Sequence, residues 1–148
     1  MDKQYIADFQ FVGSSVKSFN IKNNFVALGN EANASRNMEV SHAISNIEKI
    51  NEDKTLTATV LLNINVKIES NGRIYEVDLT IEGCFNAPVE MGDETFKGML
   101  QVNGITTLYS LARAFIHSTT SQTLVAGSVL LPMFNVAAYS KDMNSKDE

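Results

Sequence analysis

An α+β fold is predicted for this chain of 148 residues: a four-stranded antiparallel sheet in meander or Greek-key order, with a long amphipathic helix and a short C-terminal helix packed on one face. Three observations predict it. A long apolar-polar alternation runs from Leu56 to Phe85 around the pair Asn71-Gly72. Past Pro88 the apolar spacing changes from two to three and four. Near the C-terminus a second apolar run, Val129 to Phe134, is broken by Pro132.

The hairpin anchors the rest. Leu56, Ala58, Val60, Leu62, Ile64, Val66 and Ile68 fill alternate positions, and Tyr75, Val77, Leu79 and Ile81 do the same between Glu76, Asp78, Thr80 and Glu82. Asn-Gly favours a type I′ turn because both residues tolerate positive φ, which sets Ser70 opposite Arg73. Ile68 then faces Tyr75, Val66 faces Val77, Ile64 faces Leu79 and Leu62 faces Ile81, with Lys67 opposite Glu76 on the polar side. A slip of one residue would set an apolar row beside a polar one, so turn and pattern specify the same register independently.

Upstream, Phe9, Phe11, Phe19 and Ile21 mark a first strand between Asp8 and Lys22, bent or bulged near Gly13. Asn23 to Asn37 reads as a crossing loop around Phe25, Val26 and Leu28. Met38, Val40, His42 and Ile44 form the apolar side of a second strand, and Asn51 to Lys54 is a polar turn into the hairpin. Phe96 to Asn103 is weakly helical, with Gly98 against it. From Ile105 the signal strengthens: Ile105, Leu108, Leu111, Ala112, Phe115, Ile116 and Thr119 make one face of a helix suited to the apolar side of the sheet. Ser118 to Gly127 is a connection, Phe134 to Tyr139 a short closing helix, and 140–148 a polar, disordered tail. A single domain spans 1–148.

A net charge of -5 and the lack of a basic stretch argue against nucleic acid as partner. No apolar run has membrane-spanning length and Met1 to Tyr5 lack a signal-peptide layout, so a cytoplasmic location without membrane insertion is expected. The one cysteine, Cys84, fits a small hydrophobe in a strand. His42 and His117 have no second ligand at metal spacing, and Arg113 and His117 share a polar helix face. Glu76, Asp78 and Glu82 form a carboxylate row on a flat strand face, a solubilising surface or a docking face for a basic partner rather than an acid-base pair in a cleft. Gly104 and Gly127 stand alone, so no phosphate-cradling loop exists. The residues therefore predict no enzyme, no metal and no cofactor. What they leave over is apolar: Phe25, Val26 and Leu28 in the loop, and Leu130, Leu131, Met133, Phe134 and Tyr139 near the end. These either cap the edges of the core or line an exposed groove or oligomer interface.

The stretch Asn103-Gly104-Ile105-Thr106-Thr107-Leu108-Tyr109-Ser110-Leu111-Ala112-Arg113, continuing to Ile116, resembles the long helix of the SecB protein-export chaperones, with Leu108, Tyr109, Ala112, Arg113 and Ile116 on the matching positions. Leu131-Pro132 with Phe134-Asn135 is similar to that family's Leu-x-Pro-x-Asn-Phe segment with the last two residues exchanged. Phe9-Gln10-Phe11, Glu39-Val40 with His42 and Ile44, and Glu82-Gly83-Cys84-Phe85 resemble its first, second and fourth strands, so the likeness runs through most of the chain in order. The sequence departs from the pattern at Ser110, where the family has proline, at Ala114, where it has an acid, and in Ser121 to Gly127.

The resemblance implies a homotetramer, a dimer of dimers with Leu108, Leu111 and Phe115 between the dimers. It also implies a chaperone that holds unfolded or late-folding polypeptides, preproteins among them, export-competent without nucleotide hydrolysis. The implied client groove comprises Phe25, Leu28, Val40, Ile44, Phe134 and Tyr139, and the implied docking surface for the SecA motor is Glu76 with Asp78. Ser18 and Lys22 occupy first-strand positions at which the family carries acids. A SecB-like chaperone dedicated to another client such as an antitoxin, a small-ligand-binding protein and a one-partner interaction protein are the alternatives.

Overall fold

The computed structural model describes residues 7–29 and 34–146; part of the crossing loop and the last two residues of the tail lie outside them. The chain forms β1 (Gln10–Asn23), β2 (Ser35–Ile44), β3 (Glu48–Ile50), β4 (Thr55–Ser70) and β5 (Arg73–Pro88). A 3-10 turn (Val89–Met91) then leads into α1 (Asp93–Met99), which a π-helical stretch (Leu100–Gly104) joins to α2 (Ile105–Ser121), and α3 (Val136–Lys146) closes the chain. The sheet order is β1-β5-β4-β2, all antiparallel, with β3 pairing the start of β4. Three neighbours in sequence lie side by side while β1 crosses to the far edge, which is Greek-key order.

The β4-β5 register is the one that the Asn-Gly turn specifies: Ser70 opposes Arg73, Ile68 opposes Tyr75, Leu62 opposes Ile81 and Lys67 opposes Glu76. Asn71 and Gly72 both have positive φ, at 51° and 77°. Alternation converts this register into one buried face, since Leu56, Val60, Leu62, Ile64 and Ile68 on β4 and Tyr75, Val77, Leu79 and Phe85 on β5 are essentially inaccessible. β1 carries the predicted irregularity between Phe11 and Gly13 and a second one between Val16 and Ser18.

Helices cover that face. Phe96 precedes the π turn, Leu100 opens it, and Ile105, Leu108, Ala112, Ile116 and Thr120 follow it, all buried. The step of five from Leu100 to Ile105 is what one wide turn accommodates, so both halves of the helix present apolar residues to the same sheet. Gly83 lets α2 approach, because a Cβ there would lie 2.6 Å from Leu108 Cδ2.

Several expectations change. The helical segment begins at Asp93 and is continuous through the stretch whose sequence signal for helix is weak, and β3 was not anticipated. The closing helix runs from Val136 to Lys146, so most of the expected polar tail completes a helix whose outer positions are exposed. Leu108, expected between subunits, is wholly buried inside this one by Gly83 and the β5 face, so it has no area to offer a partner. Phe25, expected in the client groove, is also core, because the crossing loop folds back on the sheet: Asn24 N–H donates to Ile74 O and Phe25 N–H to Asn23 Oδ1.

Candidate functional site

The apolar residues left over by the core concentrate where the segment between α2 and α3 runs beside the edge strand β2. Thr120, buried at the end of α2, accepts the Val129 N–H on its Oγ1 at 2.8 Å and donates to Ile116 O at 2.6 Å. This starts the segment against the helix. Arg113 Nε donates to Leu131 O at 2.8 Å, and the Tyr109 hydroxyl donates to Pro132 O, so the segment is held along one side of α2 by its carbonyls. Val129 and Leu131 point into the core, while Leu130 and Met133 alternate outward.

Beyond Pro132 an aromatic chain continues. Tyr109 and Phe134 have ring centroids 5.0 Å apart, Phe134 and Tyr139 5.3 Å, and Tyr139 meets the His42 ring edge-on at 5.3 Å. The Tyr139 hydroxyl is 2.7 Å from His42 Nδ1. Edge-to-face and offset pairs of this kind favour a fixed mutual orientation, so α3 is pinned to β2 through a contact spanning 97 residues. Burial raises the pKa of both Tyr109 and Tyr139; for Tyr109 the nearby Arg113 guanidinium opposes the rise.

Between this segment and the start of β2 lies a cleft of about 400 Å³. Met38, Val66 and Ile68 form its sheet side and Val129, Leu130, Leu131 and Pro132 its opposite side, with Arg36 and Arg113 at its borders. Met38 and Arg36 face it because they pair in register with Val66 and Ile68 on the helix-covered face. The cleft can take an apolar side chain or two from an extended segment, and β2, an edge strand, runs alongside with one side of its backbone outside the sheet. A wider, shallower depression of about 510 Å³ lies at the other end of the sheet, near Asp8, Lys54 and Pro88.

Of the residues expected to form a client groove, Val40 and Ile44 flank His42 on the helix-facing side of β2, and Phe134 and Tyr139 stand in the aromatic chain; all four are half-buried. Leu28 is apart from them, held by its N–H to Ala126 O at 3.0 Å next to the Ala27–Ala126 bridge. The cleft itself uses Arg36, which periodicity did not single out, and Met38, Val66 and Ile68, which periodicity placed on apolar strand faces but not in a site. Their signal was the alternation of β2 and β4, which marked a covered face without marking where its cover stops.

On the opposite face, Asn63 and Asn65 donate their amide N–H groups to Asp78 at 3.2 and 3.1 Å, and Asn65 also to Glu76 at 3.3 Å. The expected docking carboxylates are thus held side by side and half-exposed, but Lys22 of β1 lies opposite Glu76 in register and Lys67 lies opposite it on β4. The face is of mixed charge. At the β1 edge, Phe11, Val16 and Leu111 are 39–43% exposed, and Phe19 packs edge-on against Phe115 at 4.9 Å, so Leu111 and Phe115 border an accessible apolar patch. No group of three or more metal-binding side chains occurs among the described residues. Nor, among them, is any helix long and apolar enough to cross a membrane.

No family model and no curated protein matches the sequence. Among solved structures, a SecB-like chaperone of Mycobacterium tuberculosis, in complex with a ChAD peptide from the HigA1 antitoxin, superposes with a TM-score of 0.65. It covers 86% of this chain and 91% of that one at 11% identity. The chain has the SecB-like fold. A protein of unknown function from Streptococcus agalactiae is also similar, with a TM-score of 0.49, 13% identity and coverage of 84% of this chain and 97% of that one. The superposition extends over most of both chains, and the cleft beside β2 is built from this chain's own side chains.

Proposed function

We propose that this protein is a chaperone that holds unstructured polypeptide segments in the cleft between β2 and Val129–Pro132. The observation that carries the reading is an open apolar cleft beside a sheet edge, in a fold whose Mycobacterium tuberculosis example is solved with a bound peptide. An extended client would place apolar side chains against Met38 and Leu130 and pair its backbone with the edge, a mode that needs no fixed sequence. Non-catalytic action in the cytoplasm as a homotetramer, with Leu111 and Phe115 in the assembly contact, completes the proposal.

A client-dedicated form of the same activity is favoured over handoff to a SecA-type motor. The relative's peptide comes from an antitoxin, and the Glu76–Asp78 face that would dock on SecA has Lys22 and Lys67 opposite Glu76. The test is a fluorescence-anisotropy titration of a reduced, unfolded client with the natural protein and with Leu130→Ser. Leu130 is 52% exposed, so the fold should survive its loss. Removing that apolar contact costs about 1–2 kcal/mol of client binding, which corresponds to a Kd roughly tenfold weaker. Equal affinity with Leu130→Ser would remove the cleft from the client site.

A further inference from the structure

We infer that the cleft recognises an acidic residue set among apolar ones, its carboxylate held by Arg36 and Arg113. This rests on the reading of the cleft as a polypeptide site. Arg36 comes from β2 and Arg113 from α2, yet both border the same hollow, whose other side chains are almost all apolar. No carboxylate lines it. Among the described residues the ion pairs are Lys17–Glu82, Lys54–Glu52 and Lys67–Glu69, so neither arginine is neutralised by a neighbour. In a chain of net charge -5, two guanidinium groups without an ion pair among the described residues, at one apolar cleft, are a local reversal of sign.

The geometry also orients one of them. The 2.8 Å bond from Arg113 Nε to Leu131 O fixes that side chain at the cleft while its terminal N–H groups keep their donor capacity. A guanidinium offers a carboxylate two parallel N–H donors, and an apolar surround weakens screening by solvent, so the pair would gain more here than on an open surface. A fatty acid carries the same carboxylate on an apolar body. The extended segment is the occupant that also uses the unpaired edge of β2, where backbone donors and acceptors alternate beside the cleft. A lysine in the same place of a client would be repelled.

The experiment is anisotropy with three labelled peptides identical except for a central Glu, Gln or Lys between Leu and Phe. The Glu peptide should bind at least tenfold tighter than the Gln peptide, with Lys weakest, and the difference should shrink as salt is raised. Arg36→Gln should bring the Glu and Gln peptides to within about threefold of each other. Arg36 is exposed, so that variant should fold, and Arg113→Lys, which keeps the charge but loses the planar fork, should reduce the preference less. Equal binding of all three peptides would overturn acid recognition and leave the polypeptide site standing. Binding of none would overturn both, and displacement of a labelled fatty acid by laurate with no peptide binding would assign the cleft to a small ligand instead.

Discussion

Single side chains decide where the cover on the sheet stops. Thr120, Arg113 and Tyr109 each bind a backbone group of the segment leading to α3, and none of these bonds is visible in the sequence, where Arg113 reads only as part of a polar face with His117. His117, one turn further along α2, meets the same segment, with Nδ1 3.1 Å from Ser128 Oγ. Gly127 adds a steric reason for the path of the chain. It has φ of 93°, and a Cβ there would collide with the Leu28 carbonyl oxygen, so the loop strap at Ala27–Ala126 requires glycine. Buried phenols give a titratable signature. Tyr75, Tyr109 and Tyr139 have pKa values raised by burial, so the folded state favours their neutral forms. The stability they contribute is complete below the unfolded phenol pKa of about 10 and is lost as pH rises through the higher folded values. Urea midpoints should therefore fall above pH about 10, and Tyr109→Phe with Tyr139→Phe should lower the midpoint at pH 8 yet make that alkaline fall shallower. An equally steep fall in the double variant would contradict the assignment.

At the scale of elements, the hairpin was legible because two independent signals coincide on one register, the Asn-Gly turn and the alternation on either side. β3 was not, because three residues carry no readable period, and α1 was obscured by Gly98 and by the π turn that shifts the apolar phase between Leu100 and Ile105. The core position of Phe25 and Leu108 was hidden for a different reason: periodicity identifies an apolar face but not what covers it. α3 is the element whose attachment matters most. Its helix is polar along much of its length, with Val136 and Ser140 as its buried positions, so its docking depends on Phe134 and Tyr139 reaching Tyr109 and His42. Replacing both Phe134 and Tyr139 by Ser removes about 2–4 kcal/mol of half-buried aromatic contact. Amide exchange across Val136–Lys146 should then accelerate by at least tenfold while the sheet's far-UV circular dichroism persists. Unchanged exchange would show that α3 is held by something else.

For the whole molecule, the order of short motifs along the chain pointed to a SecB-like protein, and the fold agrees despite 11% identity to the Mycobacterium tuberculosis structure. That agreement is physical: a Greek-key sheet with one apolar face needs a helical cover, and the cover here leaves a cleft at one edge and an apolar patch at the other. In the proposed function the patch of Phe11, Val16 and Leu111 would serve assembly, and the cleft capture of a client. Both are tested together by native mass spectrometry of the natural protein and Leu111→Glu, each alone and with a reduced, unfolded client. The account predicts a tetramer of the natural protein that takes up the client, and a smaller species for Leu111→Glu. A natural protein that stays monomeric and leaves the unfolded client free would contradict it.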